Sequence, residues 1–98
     1  MQPFERFKKL NTEENLWFYV LSLGKEVTCD EDVRRLIFEK FEFLPSDLIL
    51  KTVLFRLRRK NYISSEKYKG NRAYKTTEKG IAELEKTRDF YQELLQKI

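Results

Sequence analysis

Positively charged side chains are concentrated in one part of this 98-residue chain. Residues 51–79 contain ten Lys or Arg and only two acidic residues, although the net charge of the whole chain is +4. Residues 1–45 carry a net charge of −2, whereas residues 46–98 carry +6. Lysine and arginine bind phosphate groups, so this segment favours the binding of a polyanion. A solvated basic surface without a ligand is the alternative that charge alone leaves open.

The composition argues against catalytic and metal sites. The chain has no His and one Cys, Cys29, so we expect no zinc or haem site, no cofactor and no Ser-His or Cys-His catalytic pair. The acidic clusters Glu13–Glu14 and Asp30–Asp32 fall where helix N-termini favour carboxylates. A glycine-rich phosphate loop is also missing from the sequence. The sequence therefore does not predict an enzyme, and it identifies no small-molecule effector.

The sequence also bears on the location of the protein. A run of 18 apolar residues is missing, so we expect no membrane span. The N-terminal segment contains acids and no apolar stretch, so a secretion signal is not expected. A single cysteine cannot form an internal disulfide, which fits a reducing compartment. These features predict a cytoplasmic protein, associated with the nucleoid if the polyanion is DNA.

Capping residues predict where two helices of the N-terminal half begin and end. Asn11 or Thr12 is predicted to cap one helix, which ends at Gly24. Thr28 and Glu31 have the spacing of a capping box for the next helix. Both segments carry apolar residues with helical periodicity, so each is expected to pack one face on a common core.

The basic segment follows, and it is predicted to form a helix and a hairpin. Ser46 is predicted to cap a helix over residues 46–60. Residues 62–76 alternate as two strands, with Gly70 and Asn71 in the turn, because both accept positive φ. A final helix is predicted over residues 77–98, capped by Thr77.

The predicted order is three helices, a basic hairpin and a long helix. Two helices joined by a short turn and followed by a basic hairpin are typical of a winged helix-turn-helix, a mainly α fold with a β-hairpin (α+β). In that fold the second helix of the pair enters the major groove of DNA, and the hairpin reaches the backbone or the minor groove. We therefore interpret residues 1–98 as a single winged-helix DNA-binding domain.

A resemblance to a known family strengthens this interpretation. The segment LILKTVLFRLRRKNYISSEKYKGNRAYKTTEKGIAELE, residues 48–85, resembles the PadR-like winged-helix transcription regulators and the small archaeal winged-helix regulators. The shared features are Leu54, Leu57, the basic tail 58–60, Tyr62, Ile63, the basic wing 67–72, Tyr74 and residues 77–80. Three departures are Asn61 in place of Gly, Thr76 in place of an apolar residue, and the apolar start of the helix at residues 48–50.

The resemblance implies a homodimeric, DNA-binding repressor or activator whose C-terminal helix pairs two subunits. We predict that double-stranded DNA is bound by Ser46, Lys51, Thr52, Phe55, Arg56, Arg59, Lys67, Lys69, Asn71 and Arg72. For Phe55 an alternative is packing in the core. Two other classes stay open: a winged helix that contacts proteins in a larger transcription or translation assembly, and an enzyme, for which the only signal is the acidic clusters. RNA binding is a further alternative, and for the basic residues so is a surface that is merely solvated.

The apolar residues of the last helix repeat at three- and four-residue intervals, which is typical of a helix pairing seam. The N-terminal extension, residues 1–10, is predicted to be a short helix that docks on the same surface. We predict dimer contacts from Phe4, Phe7, Ile81, Leu84, Arg88, Tyr91, Leu95 and Ile98. The alternative is that this apolar side packs only on the protein's own aromatic residues.

Overall fold

The computed structural model describes residues 1–98. It contains five α-helices and one three-stranded antiparallel sheet. This α+β order confirms the predicted fold class. The elements are α1 (Pro3–Asn11), α2 (Leu16–Leu23), β1 (Thr28–Cys29), a 3₁₀ turn (Asp30–Asp32), α3 (Val33–Phe41), α4 (Asp47–Arg59), β2 (Ile63–Tyr68), β3 (Asn71–Thr76) and α5 (Glu78–Lys97). None of the helices combines the length and the apolar character that crossing a bilayer requires.

Two helix caps were predicted correctly. The hydroxyl oxygen of Ser46 accepts a hydrogen bond from the N–H of Ile49 at 3.4 Å, at the start of α4. The hydroxyl of Thr77 accepts one from the N–H of Gly80 at 3.2 Å, at the start of α5. Both caps involve residues three positions apart, so the sequence alone contains the signal.

The predicted cap of α2 was wrong. Asn11 and Thr12 end α1 instead, because their side chains donate hydrogen bonds to the carbonyl oxygens of Phe7 and Lys8, both at 2.8 Å. The N-cap of α2 is Asn15, whose side chain makes no capping hydrogen bond. The first turn of α2 therefore contains no acidic residue.

The predicted capping box was also wrong, because Thr28 belongs to a strand. Thr28 and Cys29 form β1, which pairs with Tyr74 and Ala73 of β3. The hydroxyl of Thr28 donates to the carbonyl oxygens of Leu23 and Glu26, both at 3.0 Å, and not to a helix N-terminus. The sheet order is β1-β3-β2, so a third strand covers the hairpin edge that the sequence left free.

The turn of the hairpin lies one residue earlier than predicted. Lys69 and Gly70 take positive φ, 52° and 80°, whereas Asn71 is the first residue of β3 and pairs with Tyr68. A two-residue turn with two positive φ values matches the right-handed twist of the flanking strands. Asn61 has φ 64°, as expected for a residue that replaces glycine after a helix.

The core joins the sheet to α2. The ring of Tyr74 is fully buried, and its hydroxyl donates to the carbonyl oxygen of Val20 at 2.7 Å. The hydroxyl of Thr76 donates to the carbonyl oxygen of Leu21 at 2.7 Å, which explains a polar residue at this buried position. Gly24 permits this approach, because a Cβ there would lie 2.3 Å from the Oγ1 of Thr76. The other buried members of the core are Leu16, Val33, Ile37, Leu50, Leu54, Leu57, Ile63 and Leu84.

Candidate nucleic-acid interface

Helix α4 turns a second stripe of side chains to the outside. Leu50, Leu54 and Leu57 are buried and fix the rotation of the helix on the core. The opposite stripe has the same helical spacing and is exposed: it consists of Leu48, Thr52, Phe55 and Arg59. Phe55 is 62% exposed, so the alternative that it packs in the core is wrong.

The basic residue that does not face outward is Arg58. Its guanidinium contacts both carboxylate oxygens of Asp30, at 2.6 and 2.7 Å, and donates to the carbonyl oxygen of Ala73 at 3.0 Å. Its Nε donates to the hydroxyl of Ser65 at 3.1 Å. Because each of its three nitrogens donates to a protein atom and the side chain is largely buried, Arg58 joins the hairpin to α4 rather than facing a ligand. Sequence reasoning missed Asp30, which is 28 residues away in the chain.

The hairpin directs two of its cations towards α4. In the antiparallel register Lys67 lies directly opposite Arg72, on the same sheet face as Ser65 and the buried Tyr74. Ser65 contacts Arg58 of α4, so this face is the one that meets the helix. Two like charges in opposite positions destabilise a hairpin by a few tenths of a kcal/mol or more, which an anionic ligand between them offsets.

A groove separates α4 from the hairpin and brings predicted site residues of both elements together. It has a volume of about 560 Å³, and its walls include Lys51 and Phe55 of α4 and Arg72 of β3. Three carboxylates also line it: Asp30, Glu31 and Asp47. Asp30 is held by Arg58, and its contact with the Nε of Arg72 is longer, at 3.8 Å. Arg56 faces a different cavity, which is lined by Trp17, Leu21, Leu57, Lys60, Tyr62 and Glu83.

Most cations of this surface have no acidic partner. Lys51 pairs with Asp47 at 3.1 Å, whereas Arg56, Arg59, Lys60, Lys67 and Lys69 have no carboxylate within 4.0 Å. The ammonium of Lys69 lies 5.3 Å from the centre of the Tyr68 ring. We call the exposed cations Lys51, Arg56, Arg59, Lys67, Lys69 and Arg72 the basic face. Four of them, Arg56, Arg59, Lys67 and Lys69, can bind phosphate groups without first breaking an ion pair.

The two remaining predicted contact residues are polar and exposed. Ser46 already accepts the N–H of Ile49, so its hydroxyl proton is what it can offer a phosphate. Asn71 is at the tip of the hairpin, paired with Tyr68. No group of three or more His, Cys, Asp or Glu side chains is arranged to hold a metal ion.

A second exposed surface is apolar and lies between α1, α2 and α5. Leu84 is 2% exposed and Ile81 packs against the core, so the predicted partner contact is not available to Leu84 and is restricted for Ile81. At the C-terminal end of the predicted seam, Leu95 and Ile98 are largely exposed and are therefore accessible to a partner. A groove of about 590 Å³ on this surface is lined by Phe7, Asn11, Phe18, Tyr19, Tyr91, Leu94, Leu95 and Ile98.

Helix α1 is held to this surface by polar contacts. The hydroxyl of Tyr91 donates to the Oδ1 of Asn11 at 2.7 Å, and that of Tyr19 to the Asn11 carbonyl oxygen at 2.6 Å. Burial, and next the neighbouring Tyr91, raise the pKa of Tyr19. No residue of α1 is buried, and Phe4 and Phe7 are exposed.

Comparison with solved structures decides the fold. The F93 protein from STIV, described as a winged-helix DNA-binding protein, superposes with a TM-score of 0.73 and 21% identity over 85% of this chain and 92% of that one. The chain has the winged-helix fold. A PadR family transcriptional regulator from Eggerthella lenta DSM 2243 gives 0.73 and 20%, covering 94% of this chain and 80% of that one. A PadR-like transcription factor from Bacteroides fragilis gives 0.74 and 20%, covering 94% of both chains.

At 20–21% identity, these similarities establish the fold of the chain and nothing beyond it. No family model matches the sequence, and no curated protein matches it. Within the winged helix, α3 and α4 are the helix-turn-helix pair, and β2 and β3 form the wing. Helix α4, the second helix of that pair, carries the exposed stripe.

Proposed function

We propose that the protein binds double-stranded DNA as a homodimeric transcriptional regulator. The observation that carries the proposal is that α4 and the wing both expose cations without an acidic partner: Arg56 and Arg59 on α4, and Lys67 and Lys69 on the wing. The structures similar to this chain include a DNA-binding protein and two transcription regulators, which supports the same function.

In this proposal α4 enters the major groove, which is wide enough for a helix. The stripe residues Leu48, Thr52 and Phe55 meet the base edges. The cations of the helix, Lys51, Arg56 and Arg59, approach the flanking phosphates. The wing cations Lys67, Lys69 and Arg72 contact the backbone or the adjacent minor groove. Each neutralised phosphate releases a condensed counterion, so binding is expected to weaken steeply with salt.

The homodimer is proposed from the apolar surface on α1 and α5. A nine-residue helix is marginal in water, and α1 buries none of its own residues. Its exposed Phe7 lies beside the exposed end of α5, because Phe7 and Leu95 line one groove, and Phe4 is one helical turn from Phe7. A second copy of this surface would cover both sets of side chains.

Fluorescence anisotropy tests the proposal most directly. A labelled duplex pool is titrated with the protein at 50–300 mM salt, with single-stranded DNA and duplex RNA as competitors. We expect sub-micromolar binding of duplex DNA, a steep salt slope and weak competition by duplex RNA, whose narrow major groove excludes a helix. Absence of binding to duplex DNA at the lowest salt would end the proposal.

One observation favours a second candidate, a winged helix that contacts another protein. Leu48 and Ile49, in the first turn of α4, are apolar and exposed. A protein-contact module is expected to bind DNA weakly and with little preference for duplex over single strands. The same titration therefore separates the two candidates.

A further inference from the structure

The first turn of α4 exposes apolar side chains rather than hydrogen-bonding groups. Leu48 is 75% exposed and Ile49 is 53% exposed, and Phe55, two turns after Leu48, is 62% exposed. The helix contains no Asn or Gln, the side chains that read adenine through paired hydrogen bonds. The packing of α4 does not require these three side chains, because a separate stripe faces the core. Their exposure therefore points to an external apolar contact.

The polar side chains among them are already engaged. The hydroxyl of Thr52 donates its proton to the carbonyl oxygen of Leu48 at 3.1 Å. The ammonium of Lys51 lies 3.1 Å from the carboxylate of Asp47. The N-terminal half of a recognition helix supplies most base contacts in helix-turn-helix proteins. In this helix that half has little free capacity to read bases by hydrogen bonding.

Cations border the apolar residues and indicate what covers them. Arg59 follows Phe55 one turn later without an acidic partner, and Arg72, whose contact with Asp30 is 3.8 Å long, lines the same groove as Phe55. An apolar centre with a basic border matches the major groove of DNA. The phosphates run along the edges of that groove, and the one apolar group on its floor is the C5-methyl of thymine.

We propose that Leu48, Ile49 and Phe55 contact thymine methyl groups and that the protein thereby selects thymine-rich duplex DNA. This inference rests on the proposed DNA-binding function and adds the chemical feature that is read. Guanine–cytosine pairs offer no methyl group to these side chains. The basic border supplies affinity, and the apolar centre supplies the preference.

The test compares duplexes that differ only in methyl groups. One is an alternating adenine–thymine duplex, and its match carries deoxyuridine in place of thymidine. A guanine–cytosine duplex with and without 5-methylcytosine makes the second pair. Burying one methyl group is worth about 0.8 kcal/mol, or about fourfold in Kd. We expect the uracil duplex to bind about fifteenfold more weakly if two methyls are buried, and 5-methylcytosine to strengthen binding.

Variants locate the preference on α4. Because Leu48, Ile49 and Phe55 are exposed, replacing all three by Ala should leave the fold intact. This variant is expected to bind thymine and uracil duplexes equally, with an unchanged salt slope. Phe38→Ala, an exposed phenylalanine on α3, is the matched control and should keep the preference.

The outcomes separate this inference from the proposed function. Equal binding of thymine and uracil duplexes by the unmodified protein, with a steep salt slope, overturns the inference and leaves DNA binding in place. A preference that persists in the variant with Ala at positions 48, 49 and 55 also overturns it, because DNA shape would then be the cause. Failure to bind any duplex overturns both.

Discussion

The guanidinium of Arg58 faces the carboxylate of Asp30 in a bidentate pair, Nη1 to Oδ2 at 2.6 Å and Nη2 to Oδ1 at 2.7 Å. The side chain of Arg58 is 11% exposed. It also contacts Ser65 of β2 and the carbonyl of Ala73 of β3. One side chain thus connects the end of α4, the 3₁₀ turn and both strands of the wing.

Breaking the Arg58–Asp30 pair should destabilise the fold more than breaking an exposed ion pair. Asp30→Asn leaves the largely buried guanidinium without a counter-charge, so we expect the free energy of unfolding to fall by about 3 kcal/mol. Urea denaturation measures the change. The control is Arg35→Ala, which removes an exposed ion-pair network with Asp32 and Glu39 and should cost less than about 1 kcal/mol. Equal costs for the two variants would show that the Arg58 pair contributes no more than a surface pair.

Local features of this fold could be predicted from the sequence, and long-range ones could not. In the Ser46 and Thr77 caps the two hydrogen-bonded residues are three positions apart, so a short stretch of sequence is enough to predict them. The β1 strand has only two residues and exists because β3 lies beside it. The same reasoning applies to Asp30, whose acidic neighbours suggested a helix start rather than a partner for Arg58.

The candidate site shows the same division. The basic segment and its division between a helix and a hairpin could be read from charge and periodicity. The exposure of Phe55 could not, because it depends on how α4 rotates on a core supplied by other elements. The burial of Leu84 was missed for the same reason, since a helical seam looks alike whether it faces its own domain or a partner.

Tyr74 should make the stability depend on pH above about 10. Burial, followed by the nearby Asp30, raises the pKa of Tyr74. The folded protein therefore retains a proton that the unfolded chain releases near pH 10. The resulting stabilisation is complete below that pH and is lost as pH rises towards the folded pKa, at about 1.4 kcal/mol per pH unit.

Tyr74→Phe removes this pH dependence. At neutral pH the free energy of unfolding of the variant should be lower by about 1 kcal/mol. The loss is no larger because the carbonyl oxygen of Val20 still accepts a hydrogen bond from the N–H of Gly24. Between pH 10 and 11 the difference in the free energy of unfolding between the variant and the unmodified protein should become smaller, because only the unmodified protein loses the contribution of Tyr74. Urea denaturation from pH 7 to 11 measures both curves. Curves that fall in parallel throughout would assign the alkaline loss to other groups.

Neutralising the wing should change the salt dependence of DNA binding. In a triple variant, Lys67, Lys69 and Arg72 are each replaced by Gln. We expect the slope of log K against log salt to become shallower by about 2–3 units for each engaged protomer, because each phosphate that the wing no longer neutralises lowers the slope by about one. Anisotropy titrations at several salt concentrations measure the slope.

A charge-matched control is available for the wing variant. Replacing Lys25, Lys40 and Lys97 by Gln removes the same charge from exposed positions outside the basic face. That variant should keep nearly the original slope. If both triple variants change the slope equally, net charge rather than the wing determines affinity, and the proposed wing contacts are wrong.

A charge in the apolar groove should separate the proposed dimer. Leu95 is 69% exposed within one protomer, so Leu95→Glu should not disturb the folded chain itself. In a dimer it would place a carboxylate in an apolar interface, which costs several kcal/mol unless it is paired. Sedimentation equilibrium should therefore show a dimer for the unmodified protein and a monomer for Leu95→Glu. Ala82→Glu, at an exposed position nearer the start of α5, should remain dimeric. A dimer that survives Leu95→Glu places the interface elsewhere, and a monomeric unmodified protein removes the homodimer from the proposed function.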